Sequence, residues 1–160
     1  MPYILEQSNG ANECCKECSE RVSPCDSCKP LEIWYEWSGF EDLDTGTTYN
    51  GEKVGWSCGD GSIYMTWQVD NTSGGGPEYV TVDLAKAKKN GVWTSSTSIS
   101  CASGWHRPEG DDRPIGGATL HVRYRGQDKY KSLSPGKKSG CATGAVRTIT
   151  VTSTGTFTIS

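Results

Sequence analysis

Val146-Arg147-Thr148-Ile149-Thr150-Val151 and, beyond Ser153-Thr154-Gly155, Thr156-Phe157-Thr158-Ile159 carry the cleanest strand signal in the chain. Thr148, Thr150, Thr156 and Thr158 alternate with Ile149, Val151, Phe157 and Ile159. That period of two is the spacing of a strand with one face on a core and one in water. Threonine and β-branched side chains also suit a pleated, half-buried surface.

The same pattern recurs upstream. Thr119 to Tyr124 puts Leu120, Val122 and Tyr124 on one face and pairs with Lys129 to Leu133 across Arg125-Gly126-Gln127-Asp128. His121 falls on the opposite face, in a solvent-facing or cross-strand position. Ser96 to Ala102 reads as a strand, and Glu78 to Leu84 alternates Tyr79, Thr81 and Asp83 against Val80, Val82 and Leu84. Ala85 to Asn90 reads as one helical turn. Lys53 to Cys58 and Ser62 to Val69 are expected to form a hairpin around Cys58-Gly59-Asp60-Gly61, whose glycines tolerate positive φ. Leu31 to Phe40, with Trp34, Tyr35 and Trp37, is the first strand. Such spacing predicts an all-β fold, an antiparallel β-sandwich or jelly roll over residues 31–160, preceded by an irregular arm over 1–30.

The arm is set apart by its cysteines. Cys14, Cys15, Cys18, Cys25 and Cys28 are five of the eight, while Cys58, Cys101 and Cys141 are spread through the body. The arm has few apolar side chains, so its order must come from cross-links, metal or a partner's surface. Cys15-x2-Cys18 and Cys25-x2-Cys28 are two knuckles of the kind that hold a structural zinc. Their separation is short for a zinc ribbon, and adjacent Cys14 lets disulfide pairings compete, so zinc and disulfides both stand. Five and three are odd, so if every cysteine is oxidised at least one bridge must join arm to body.

Gly and Pro together number 27 (20 and 7), which favours turns over helices, and the hydrophobic fraction of 34% allows only a thin core that cross-links would help. Residues 1–44 carry ten acidic and three basic side chains and the rest nine and thirteen, so an acidic head precedes a basic body. The longest basic cluster is Lys86-Ala87-Lys88-Lys89, too little for a nucleic-acid partner. No stretch has the length of a membrane-spanning helix. Met1 to Gln7 lacks a basic n-region and an apolar h-region, so synthesis in the cytoplasm without a signal peptide is expected.

Other motifs fit catalysis or ligation less well. Gly55-Trp56-Ser57-Cys58-Gly59 matches G-x-S-x-G, yet that motif works between a strand and a helix, and a turn and a second strand are expected here. His106, in a charged loop, is the candidate acid or base. Glu41, Asp42 and Asp44 suggest an irregular calcium loop, although Gly46 comes one position early and Lys53 stands where an EF-hand has Glu. Asn71-Thr72-Ser73 is a formal glycosylation sequon. Among the aromatics, Trp34, Trp37, Trp67, Trp93 and Trp105 are candidates for a binding surface, divided between core and interface.

An intact Met1, a Cys-rich arm and a Gly/Thr-rich β body without a catalytic set are similar in style to small virion accessory proteins of tailed bacteriophages, the capsid decoration (cement) and tail-surface proteins. The resemblance is architectural and carries over no individual residue. It implies a non-enzymatic component of the virion surface that binds a major capsid or other virion protein, as lattice-bound copies or a homo-oligomer. Two other classes follow as alternatives, first a carbohydrate-binding or adhesin module using exposed Trp and Tyr, and second an intracellular zinc-binding adaptor. None of the three involves nucleic acid or a membrane.

Overall fold

Leu31, Ile33, Tyr35 and Trp37 alternate along the first strand with Glu32, Trp34 and Glu36, and burial follows the alternation, with only the first set inside. The computed structural model describes residues 28–38, 41–68, 78–107, 110, 116–137, 141 and 145–160. Within them the strands are β1 (Leu31–Trp37), β2 (Asp42–Tyr49), β3 (Glu52–Gly55), β4 (Met65–Gln68), β5 (Glu78–Val82), β6 (Ser96–His106), β7 (Ala118–Tyr124), β8 (Gln127–Leu133), β9 (Ala145–Thr152) and β10 (Phe157–Ile159). One short helix, α1 (Leu84–Lys89), follows β5, its first turn capped by Asp83 accepting from the Lys86 amide.

The fold is all-β, with two five-stranded antiparallel sheets of order β4-β5-β1-β7-β8 and β10-β9-β6-β2-β3. Leu31, Ile33, Val80, Val82, Leu120 and Val122 from the first sheet and Leu43, Ile99, Ile149, Val151 and Phe157 from the second are at most 1% exposed and form one core. The β9–β10 hairpin pairs Ile149 with Ile159 and Val151 with Phe157, as the alternation predicts. The β7–β8 hairpin turns through Arg125 (φ 50°) and Gly126 (φ 74°), and β2–β3 turns through Asn50 (φ 51°) and Gly51 (φ 79°), so both are type I′ turns.

Two expectations are corrected. The expected hairpin between residues 53–58 and the described part of its second arm, 62–68, does not form: β3 joins β2 in the second sheet and β4 joins β5 in the first. The chain leaves β3 at Gly55 (φ 140°), closes a loop with the Gly55 amide donating to Gly59 O at 2.8 Å, and passes through Ser57 at φ 60°. Val54 thereby enters the core from one sheet and Met65 from the other. Residues 42–46 are regular strand in place of an irregular loop, because Leu43, Thr45 and Thr47 face inward and all are fully buried.

The centre of the sandwich is polar. Tyr35 and Glu78, cross-strand neighbours of the first sheet, face Thr45, Thr47, Cys101 and Ser103 of the second, all at most 2% exposed. Thr45 Oγ1 donates to Glu78 Oε2 at 2.5 Å across the two sheets. The Tyr35 hydroxyl lies against the Cys101 thiol; burial raises the tyrosine well above its ordinary pKa and pushes the thiol up to about 12. Along one side β8 is tied to the second sheet: Gln127 Nε2 donates to Gly155 O at 3.1 Å and Arg147 Nη2 to Ser132 O at 3.3 Å.

Candidate ligand face

Among the described residues, the outer face of the first sheet carries a dense set of aromatic, charged and hydroxyl side chains. Register places Gln68, Tyr79, Trp34, His121 and Tyr130 in one row across β4, β5, β1, β7 and β8. On one side runs the row Thr66, Thr81, Glu32, Arg123 and Asp128, and on the other Glu36, Thr119 and Ser132. At about 4.8 Å per strand the five-residue row spans roughly 19 Å, and its four rings roughly 14 Å.

The side chains are fixed by one another. Trp34 and His121 stack with centroids 5.1 Å apart and planes 6° from parallel, and His121 reaches Tyr130 at 6.0 Å. Parallel rings that close must overlap, so one face of Trp34 is covered by the imidazole. The Arg123 guanidinium lies 5.2 Å from the indole centroid and bonds Asp128 through Nε at 2.6 Å. Glu36 accepts from Trp34 Nε1 at 3.2 Å and meets His121 Nε2 at 3.2 Å, an ion pair when the imidazole is protonated. Tyr79 donates to Glu32, and partial burial followed by that hydrogen bond pushes its hydroxyl up to about 12. Tyr130 ends the stack with 70% of its surface exposed. Beside Glu36, Thr119 and Ser132 lies a depression of about 470 Å³, floored by Ala118 and Leu133.

The other sequence candidates fall elsewhere. Trp37, Trp93 and Trp105 are 7%, 1% and 0% exposed and belong to the core, not to a surface. Trp37 and Trp105 pack edge to face, and their indole nitrogens donate to the carbonyls of Glu41 and Gly116. Trp93 is covered by Tyr124, Lys88 and Arg125. Trp67 is half-buried at the β4 edge and Trp34 is half-buried in the row above. Trp56, 43% exposed, lies 6.3 Å from His106 at the far end of the second sheet, where Asp42 pairs with His106 in register. Ser57 sits in the turn after β3, and no helix follows it, so the geometry of a nucleophile elbow is missing there.

Cys58 and Cys141 form a disulfide with Cα atoms 5.7 Å apart. Cys101, a disulfide candidate in the sequence, is instead a buried free thiol, because it points into the core beside Tyr35. The parity argument, which assumed full oxidation, therefore does not apply. Cys28 is disulfide-bonded. Cys14, Cys15, Cys18 and Cys25 lie outside the described residues, as do nearly all of the expected arm and the sequon at 71–73. Among the described residues no three His, Cys, Asp or Glu are grouped to hold a metal ion, and no helix is long and apolar enough to cross a membrane.

No protein-family model matches this sequence. No curated protein matches it either. Among solved structures the chain is similar to the crystal structure of the unknown-function protein SAV2460, with a TM-score of 0.44 and 13% identity over 82% of this chain and 86% of that one. A likeness of that degree carries nothing about function.

Proposed function

We propose that the chain is a non-enzymatic carbohydrate-binding or adhesin module whose ligand lies along the aromatic row of the first sheet. The observation that carries this is the row Tyr79–Trp34–His121–Tyr130, bounded on both sides by hydrogen-bonding side chains. Sugars present C–H faces to aromatic rings and hydroxyls to carboxylates, amides and guanidinium groups. This face offers both within one rigid patch, beside a shallow, open depression at Glu36. Because the rings and Glu36 already hold one another, little side-chain entropy is lost on binding. A face made only for sheet stability would have no need of a terminal ring 70% in solvent.

Titration with a broad panel of oligosaccharides, followed by tryptophan fluorescence and calorimetry, tests the proposal. Saturable binding that Tyr130→Ala and Glu36→Gln each weaken by about tenfold or more supports it. A flat response across the panel refutes it. The virion surface is the proposed setting. Co-migration with particles at a fixed ratio to a major shell protein tests that setting independently. The disulfide at Cys28 supports the cross-linked form of the head over the zinc form. Metal analysis finding about one zinc per chain would reverse that choice.

A further inference from the structure

The opposite broad face of the sandwich has a different chemistry. On the outside of the second sheet, register aligns Thr48, Ser100 and Thr148 in one row and Ser98, Thr150 and Thr158 in the next. None of these six is buried by the described residues. All six carry hydroxyls, and only at the edge strand β3 does a charge, Lys53 opposite Thr48, continue the first row. In this chain 22% of residues are charged, and the other face displays Glu32, Glu36, Arg123 and Asp128. The adjoining row sets Val146, 54% exposed, beside the small side chain of Ala102.

We infer that this face is an interface between two copies of the chain, packed sheet to sheet about a two-fold axis. In such a contact every patch meets its own chemistry, so a charge is brought toward a like charge, whereas a hydroxyl both donates and accepts and complements itself. Keeping the rows uncharged across β2, β6, β9 and β10, with a lysine only at the β3 edge, suits an isologous partner, and a partner of either charge would instead be met by opposite charges along those strands. Short side chains let two twisted sheets approach to about 10 Å, and Val146 supplies an apolar point beside the low step at Ala102. Five strands at about 4.8 Å and eight residues of β9 at about 3.4 Å give a projected face of roughly 500 Å² per copy. That is near the low end for specific contacts, so the dimer is weak and reversible.

One consequence rests on the proposed glycan reading, while the dimer itself does not. Pairing the second sheets leaves the two first sheets on opposite outer sides. A dimer would then present its aromatic rows back to back and bridge two glycan-bearing surfaces.

Sedimentation velocity of the oxidised full chain across the micromolar range is the test. The expected result is a reversible monomer–dimer equilibrium that S98E/T150E weakens by roughly a hundredfold or more through like-charge contact. T66E, on the other sheet, leaves it unchanged. An equimolar mixture of S98E/T150E and S98K/T150K restores the dimer, which also shows that both variants fold. A wild-type chain that stays monomeric at every concentration overturns the inference. So does a dimer indifferent to S98E/T150E, or a charge-swapped pair that fails to associate. Glycan binding by a strictly monomeric chain would overturn the interface and leave the ligand face standing.

Discussion

Thr45→Val is the sharpest probe of what holds the two sheets in their present alignment. The substitution keeps the volume and the β-branch but removes the hydroxyl that donates to Glu78 Oε2 at 2.5 Å. Both residues are 0% exposed, so the carboxyl cannot recover that donor from bulk water without opening the core. Deleting one partner of a buried hydrogen bond to an acidic group costs about 2–3 kcal/mol. For a chain of this size each kcal/mol moves the melting midpoint by about 2–4 °C, so a fall of roughly 5–10 °C is expected. Chemical denaturation of the oxidised protein gives the free energy directly, with an unchanged slope showing that the denatured state is the same. Glu78→Leu alone should also destabilise, but T45V/E78L together should cost at least about 1 kcal/mol less than the sum, because no donor or acid is then stranded. A T45V variant within about 0.5 kcal/mol of wild type, or strict additivity in the double variant, would refute the idea that this contact ties the sheets together.

Gly55→Ala should prevent the chain from crossing between sheets, since a Cβ there would lie 2.0 Å from Thr45 O on backbone that cannot yield; loss of soluble protein, or a drop in midpoint well beyond that of T45V, is the expected outcome in a thermal melt. Removing the Cys58–Cys141 bridge by Cys58→Ser releases a loop of 83 residues, worth up to about 4–5 kcal/mol in the chain-entropy model, and a melt of oxidised wild type against C58S measures it. Cys101 should resist alkylation in the native protein and react only on unfolding, because it is buried with its thiol pushed up to about 12. The fold favours the neutral thiol, so the unfolded chain loses its proton first; stability should fall as pH rises from about 9 through about 12, by about 1.4 kcal/mol per unit, and C101A should lessen that fall in urea titrations.

The sandwich was legible because its strands keep one face wet. Ile149, Val151, Phe157 and Ile159 alternate with threonine, and Leu120, Val122 and Tyr124 with polar side chains, so sequence period and burial coincide. β2 was illegible for the opposite reason. Asp42 to Thr47 offers one large apolar side chain, Leu43, and its inward positions 45 and 47 are threonines that meet the polar centre and leave no hydrophobic signal. Asn50-Gly51, the preferred dipeptide of a type I′ turn, was the available clue that a hairpin began there. The crossover at Gly55 was hidden because two short strands around a Gly-rich turn look the same whether they pair together or part into different sheets. Of the ligand face, Trp34 and the outward position of His121 were foreseeable from alternation. Their union with Tyr79 and Tyr130 was not, since it depends on the order β5-β1-β7-β8, which brings together residues up to 96 positions apart by number, from Trp34 to Tyr130. The tryptophans assigned to the core had nothing local to separate them from exposed ones; Trp93 and Trp105 are buried by partners distant in sequence.

The bridge between Cys58 and Cys141 also governs how the molecule would behave under load. It encloses β4 through β8, with β1 to β3 on one flank and β9 and β10 on the other. A pull on the two ends is carried through the sulfurs, so the 83-residue span, about 270–300 Å when drawn straight, is withheld from extension. An attachment protein built this way would pay out only its flanking strands when tugged, while three of the four strands that form the aromatic row stay inside a closed covalent loop.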